Sequence, residues 1–258
     1  MITKITSRDN QVLKTIRSLH RKKGRADSGL YFAEGARLTD DALVSVPENV
    51  HYVIVSENFY EKNTDYINSL DNSGKKVYIT EDKLFADICD TETPQGIAAV
   101  LEIPKEPLLD FSAMNYVLIL DGVSEPGNMG TIIRTAEAAG IDGICLMNDC
   151  VDIYSPKVVR SAMGSVFRTK FIRANNDTLE NLKVNGFKIA ATALYNSMPI
   201  EDAVFDGKRA IVIGNEARGV SDDVLSLADM SVRIDMCGKV ESLNAAVAAG
   251  IAMYMLRP

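Results

Sequence analysis

Hydrophobic and polar positions along this chain follow two rhythms that change at definite points. Within the polar, basic stretch from Ser7 to Arg25, Val12, Leu13, Ile16 and Leu19 recur at helical spacing and predict a helical arm. After Gly24 short β-like runs take over, at LYFAEG (30–35), VHYVIVS (50–56), KKVYIT (75–80) and IAAVLE (97–102), with helical stretches between them. The segment IPKEPLLDFSAMN (103–115) holds two prolines and no period, which marks it as a linker.

A second α/β series begins at Tyr116. Its expected strands are YVLILDGV (116–123), GICLM (143–147), TKFIR (169–173), FKIAATAL (187–194), RAIVIGNE (209–216) and MSVRIDM (230–236). Their mostly unbroken apolar runs predict parallel strands covered on both faces. Helices are expected to start near Asn128, Ser155, Asp177, Ser221 and Glu241. The reading is α/β throughout, in two domains: 1–105, a linker at 106–115, and 116–258.

Composition changes this picture little. The chain is 47% hydrophobic and 24% charged, with no run of membrane-spanning length and no apolar core in the leading MITKITSRDN. Its four cysteines, Cys89, Cys145, Cys150 and Cys237, lack C-x-x-C spacing and are expected as reduced thiols in the cytoplasm. His20 and His51 are the only histidines and lie far from the Gly-rich segments, which argues against a His-based triad or a metal site. The net charge of −7 argues against a nucleic-acid partner, but its distribution does not. Residues 1–37 carry nine Lys/Arg against three acids, and residues 151–173 carry five against one. Two basic patches on an acidic body fit local contact with a polyanion and fit solvated helix faces equally well.

Four segments carry candidate chemistry. In DGVSEPGNMGTIIRTAEAAG (121–140), Asn128 is placed as the cap of the following helix, with Gly130 and Arg134 one turn apart on the same face. A buried-looking guanidinium folding back over a bare glycine would join an amide and free backbone N–H groups, a site suited to phosphate or ribose. A structural turn bearing a surface arginine fits the same residues, and G-x-G-x-x-G is absent. In IVIGNEARGVSDDV (211–224), Gly214 and Gly219 permit close backbone approach to a ligand and Glu216 sits at a strand's carboxyl end, though a helix-capping loop with an exposed glutamate fits equally well. In VRIDMCGKVESLNAAVAAGIAMYML (232–256), Ser242 and Asn244 head a nearly all-apolar helix, where simple capping is the plainer reading. YSPKVVRSAMGSVFR (154–168), with Pro156 in a helix first turn and a basic face, reads as a plain amphipathic helix, the alternative being a helix N-terminus and lysine that meet phosphate.

In this order the segments resemble the SpoU (TrmH-like) RNA ribose 2′-O-methyltransferases of the SPOUT class. The resemblance lies in N-x-G-x-x-x-R-T-A at 128–136, G-x-E-x-x-G at 214–219 and S-L-N-x-A-V-A at 242–248, with SPKVVRSAMG at 155–164. YFAEGARL (31–38) and ETPQGIAAV (92–100) are similar to that family's ribosomal-protein-like substrate-binding domain. The resemblance implies a knotted, mostly parallel catalytic domain, S-adenosylmethionine as cofactor, structured RNA as substrate (ribosomal in preference to transfer RNA), and a homodimer without metal or membrane. It further implies Arg134 as the central catalytic residue, braced by Asn128, Glu216, Ser242 and Asn244. The cofactor would meet Leu194, Gly214, Ile234, Met236 and Leu243. One departure is Asp235, where the family usually carries proline. Two rivals remain at this point: a Rossmann-type nucleotide enzyme and a non-catalytic RNA-binding protein on the same fold.

Overall fold

The computed structural model describes residues 2–105 and 110–258, so residues 106–109 of the expected linker lie outside the described residues. The fold is mixed α/β and divides into two compact units, Met1–Lys105 with Asp152–Phe167, and Glu106–Val151 with Arg168–Pro258.

The first unit contains β1 (Ile2–Ile5), α1 (Gln11–Leu19), α2 (Lys22–Ser28), β2 (Leu30–Glu34), α3 (Ala36–Ser45), β3 (Val50–Ser56), α4 (Glu57–Lys62), α5 (Thr64–Asn72), β4 (Val77–Thr80), α6 (Asp82–Ala86) and β5 (Ile97–Glu102). Its sheet runs β1-β4-β3-β5-β2, with β1, β4 and β3 parallel and β5 antiparallel to both neighbours. The expected basic arm is a packed helix. Asn10 caps α1 by accepting from Val12 N at 2.8 Å, and Leu13, Ile16 and Leu19 are fully buried. Each such side chain is worth about 1.5–3 kcal/mol as an upper estimate. Strand β1 was not expected, because ITKI is short and half polar and shows no period.

The second series contributes β6 (Tyr116–Asp121), α7 (Pro126–Ala139), β7 (Gly143–Met147), α8 (Pro156–Ala162), α9 (Ser165–Arg168), β8 (Phe171–Arg173), α10 (Asn176–Val184), β9 (Lys188–Thr192), β10 (Met198–Pro199), β11 (Arg209–Gly214), α11 (Asp222–Leu227), β12 (Met230–Arg233) and α12 (Ala245–Met255). Seven strands form a wholly parallel sheet in the order β10-β12-β9-β11-β6-β7-β8. This bears out the reading of the unbroken apolar runs. One side of the sheet packs Val117, Ile119, Ile189 and Val212 against Leu179 and Leu182 of α10.

Several expected strands stop early, β6 at Asp121, β9 at Thr192, β11 at Gly214 and β12 at Arg233. The apolar signal runs on into the loops that follow, whose residues turn instead of pairing. Because the chain places β11 between β9 and β6, and β12 on the far side of β9, four such loops leave neighbouring strands at their carboxyl ends.

Segment 152–167, which contains SPKVVRSAMG, belongs to the first compact unit. The buried Arg25 guanidinium donates twice to Asp152 Oδ2, at 2.9 and 2.6 Å, and Arg160 pairs with Asp90 at 2.9 Å. Much of the local basic excess is neutralised within the fold: Lys4 pairs with Glu57, Arg8 with Asp87 and Arg168 with Glu137. Arg21, Lys22 and Lys23, at the corner between α1 and α2, are exposed.

Candidate active site

The site is built around a closed loop after β11. A Cβ on Gly214 would lie 2.1 Å from Gly219 C and 2.2 Å from Val220 N, so only glycine lets the loop fold back here. Asn215 N donates to Gly219 O at 2.9 Å, Gly219 N donates to Asn215 O at 2.8 Å, and Gly219 takes φ of 72°. The close approach that the bare Gly214 permits is therefore that of its own loop. Asn215 Oδ1 accepts from Ala217 N and Arg218 N at 3.0 and 3.1 Å, and its amide donates to Gly122 O at 2.8 Å. Beside it, buried Asp121 accepts from Ser221 N at 2.7 Å and from the Asn148 amide.

This rigid loop presents Glu216 to the segment after β6. Glu216 Oε2 accepts from Ser124 N at 3.2 Å and Ser124 Oγ at 3.0 Å. Glu216 Oε1 accepts from Glu125 N at 3.0 Å and the Asn128 amide at 3.1 Å. Partial burial raises the carboxyl pKa, but hydrogen bonds from Asn128 and from backbone N–H groups outweigh it and bring the value down to about 2. Glu216 is thus an anion at neutral pH and a poor proton acceptor.

Asn128 is not the cap of α7. The helix starts earlier, with Glu125 in the cap position and Pro126 as its first residue, because proline supplies helical φ and has no N–H to satisfy. Placing Asn128 inside the first turn frees both ends of its amide. One donates to Glu216, and Oδ1 accepts from Asn244 Nδ2 at 2.9 Å. Asn244, and neither Glu241 nor Ser242, caps α12, accepting from Ala246 N at 2.9 Å and Val247 N at 3.3 Å.

Helices α7 and α12 lie side by side in the same direction. A Cβ on Gly250 would sit 3.5 Å from Thr135 Cγ2, and Tyr254 OH donates to Ala138 O at 3.5 Å one turn on. Their positive N-terminal ends therefore meet beside Asn128 and Asn244.

Of the five expected catalytic residues, the structure joins Asn128, Glu216 and Asn244 by hydrogen bonds. Arg134 is exposed, not buried, and has no hydrogen-bond or ion-pair partner among the described residues. It lies six residues beyond Asn128, about 9 Å along the axis of α7. Ser242 is exposed two residues before the Asn244 cap, without a partner among the described residues.

Of the five residues expected near a cofactor, Gly214 ends β11, Leu194 lies on the loop after β9, and Ile234, Met236 and Leu243 lie on the loop after β12; β12, β9 and β11 are successive neighbours in the sheet. Leu194 is 60% exposed, Gly214 is buried, and Ile234, Met236 and Leu243 are half-buried. Asp235 in the proline position pairs with Arg233 at 2.7 Å, and Arg233 also donates to Ser197 O, tying the loop after β9 to the end of β12. Ser197 Oγ is buried there without a hydrogen-bond partner among the described residues. Exposed Leu194 and Val240 with this unpaired hydroxyl suit a largely apolar nucleoside bearing a few polar atoms.

Ser124 and Asn215 were not anticipated. Asn215 sits between a glycine and Glu216 and carried a recognisable turn signal, whereas nothing around Ser124 distinguished it from an ordinary loop serine.

Comparison with known proteins adds the following. A family model described as the SpoU rRNA Methylase family matches residues 115–254, and one described as an MRM3-like substrate binding domain matches residues 10–99. The 23S rRNA (guanosine(2553)-2′-O)-methyltransferase RlmP of Bacillus subtilis is 37% identical over 254 residues, covering 98% of each chain. An rRNA methyltransferase from Sinorhizobium meliloti superimposes with a TM-score of 0.87 at 31% identity, over 98% of this chain and 96% of the other. An AdoMet-bound structure from the same organism gives 0.86 at 29% identity, over 98% and 97%.

Proposed function

The chain belongs to the SpoU rRNA methylase family, and from that premise we propose that it methylates a ribose 2′-hydroxyl of ribosomal RNA. S-adenosylmethionine is the cofactor, supplying an electrophilic methyl group on a sulfonium. The observation that carries the reading is the chain of hydrogen bonds Glu216–Asn128–Asn244, which gathers three distant loops at the first turn of α7, the helix that also carries Arg134.

The chain's residues divide the work as follows. A ribose hydroxyl is a weak nucleophile and must lose its proton. Glu216 is too acidic to take that proton, and a guanidinium practically never gives one up. Arg134 therefore orients the ribose and its adjacent phosphate and offsets developing charge, and the hydroxyl proton, made strongly acidic as the O–CH₃ bond forms, passes to water. Asn128, locked at both ends of its amide, fixes the first turn of α7, and Ser242 closes the ribose site from the start of α12. Such positioning supplies much of the rate enhancement. Leu194, Gly214, Ile234, Met236 and Leu243 hold the cofactor along the loops after β9, β11 and β12. The AdoMet-bound neighbour supports the cofactor, and the unpaired Ser197 hydroxyl supports its placement here.

Residues 1–105 bind the RNA, 106–115 link, and 116–258 carry out the transfer; the extents of the two family models support this division. The catalytic domain is knotted, a reading that membership of the SpoU rRNA methylase family supports. The enzyme works as a homodimer in the cytoplasm, without a metal. Val247, Tyr254 and Met255, exposed on α12 opposite its buried Ala246, Ala249 and Ala252, support the dimer. Among the described residues, no helix is long and apolar enough to cross a membrane.

The direct test incubates the protein with labelled S-adenosylmethionine and either 23S rRNA or transfer RNA transcripts, then maps alkali-resistant ribose methylation. Label in 23S rRNA is expected. Label on a base, or in transfer RNA alone, would replace this reading.

A further inference from the structure

A cavity of about 340 Å³ lies in the first unit, where β3 and β4 end and β5 begins. Its walls include Phe59 and the buried Phe85, with Asn58, Asp82, Gln95 and Lys62 supplying polar groups.

The aromatic wall is fixed by construction. Ser56 Oγ accepts from Phe59 N at 3.2 Å, and Ser56 N donates to Gly96 O at 2.8 Å. Gly96 has φ of 84°, and a Cβ there would lie 2.9 Å from both Phe59 Cβ and Ser56 Oγ. Only glycine lets the start of β5 press this close to the ring. The polar groups are half used. Asp82 Oδ1 accepts from Asn58 N at 3.1 Å, leaving Oδ2 as an acceptor. Gln95 Oε1 accepts from Ala36 N at 2.8 Å, leaving its NH₂ as a donor. The side chains of Asn58 and Lys62 have no hydrogen-bond or ion-pair partner among the described residues.

A fixed aromatic face, an unused acceptor beside unused amide donors, and the free cation of Lys62 match one ligand chemistry: a planar heterocycle with a mixed hydrogen-bonding edge, carried on a phosphate. We infer that this cavity receives one unstacked nucleobase of the RNA substrate, stacked on Phe59 and read at its edge by Gln95, Asn58 and Asp82, with Lys62 on a flanking phosphate. The inference rests on the proposed function, since a free nucleotide has the same chemistry.

The test uses the full-length protein and a protein-free 23S rRNA transcript containing 4-thiouridine. Photo-crosslinks mapped by mass spectrometry are expected on peptides spanning 56–62 or 94–96. Phe59→Ala is expected to weaken RNA binding about tenfold, with Phe59→Tyr near wild type and the exposed Asn58→Ala weakened less. Crosslinks confined to other peptides, with both alanine variants binding RNA like wild type, overturn the inference even if the wild type methylates the transcript. Saturable binding of AMP or UMP that Phe59→Ala abolishes while RNA affinity stays unchanged also overturns it, assigning the cavity to a free nucleotide. A wild type that neither binds nor methylates any RNA removes the proposed function as well.

Discussion

Asn244 donates to Asn128 across 2.9 Å, joining the cap of α12 to the first turn of α7 between residues 116 positions apart in the chain. Because Asn128 also donates to Glu216, a single amide ties the ends of β6 and β11 to the start of α12. The same carboxamide of Asn244 caps its own helix. Stability and geometry are therefore coupled at this residue, and substitutions can separate them.

Asn244→Asp keeps the capping oxygen but sets a carboxylate against Asn128 Oδ1. It should unfold within about 1 kcal/mol of wild type yet lose most methyl transfer. Asn244→Ala should lose the cap too, costing about 0.5–2 kcal/mol. Chemical denaturation together with a methylation assay distinguishes the two variants; equal activity in Asn244→Asp and wild type would detach this bond from catalysis.

Arg134 has no partner among the described residues to lose, so Arg134→Ala should leave the melting temperature and cofactor affinity nearly unchanged while abolishing turnover. Arg134→Lys should recover little, because an ammonium lacks the fork that grips ribose and phosphate together. Calorimetry with S-adenosylmethionine and single-turnover kinetics read the two properties separately. Retained turnover in Arg134→Ala would remove this residue from the mechanism.

Glu216 titrates near 2, below its ordinary value of 4.5, so the folded state favours its ionised form. A depressed carboxyl contributes stability above the unfolded pKa, and that contribution fades as pH falls from about 4.5 toward 2. Its exposure keeps the contribution on the order of 1 kcal/mol or less. Wild type minus Glu216→Gln stability should therefore be flat from pH 8 to 5 and shrink below pH 4.5. A rate profile with an inflection near pH 5 that Glu216→Gln abolishes would contradict the assignment of Glu216 as a permanent anion.

Gly214→Ala places a methyl 2.1 Å from backbone that cannot move aside without opening the loop. It should cost about 3 kcal/mol or more and dislodge Glu216. Gly219→Ala, in open space but at φ of 72°, should cost only about 1 kcal/mol. Thermal unfolding of the pair tests the ranking, and a milder Gly214 variant would mean the loop closes differently.

If residues 1–105 grip RNA electrostatically, the unpaired cations matter more than the paired ones. Replacing Arg21, Lys22 and Lys23 together with alanine should lower the salt slope of RNA binding by about 3, whereas Arg160→Ala, already paired with Asp90, should change it little. Filter binding across a salt series decides between them.

The fold class and most of the strands were legible in the sequence by itself, because apolar runs such as YVLIL and AIVI are long enough to specify buried parallel strands whatever surrounds them. The resemblance of three segments to one family pointed to Asn128, Glu216 and Asn244, which the structure joins by hydrogen bonds. What only the tertiary structure decided is which groups those side chains satisfy. Pro126 moved the helix start and turned Asn128 from a cap into a bridge; the Gly214 loop closed on itself; and α1 became a packed helix instead of an arm. Local pattern sets how a segment folds, but a hydrogen-bond partner about a hundred residues away depends on strand order, which no window of sequence contains.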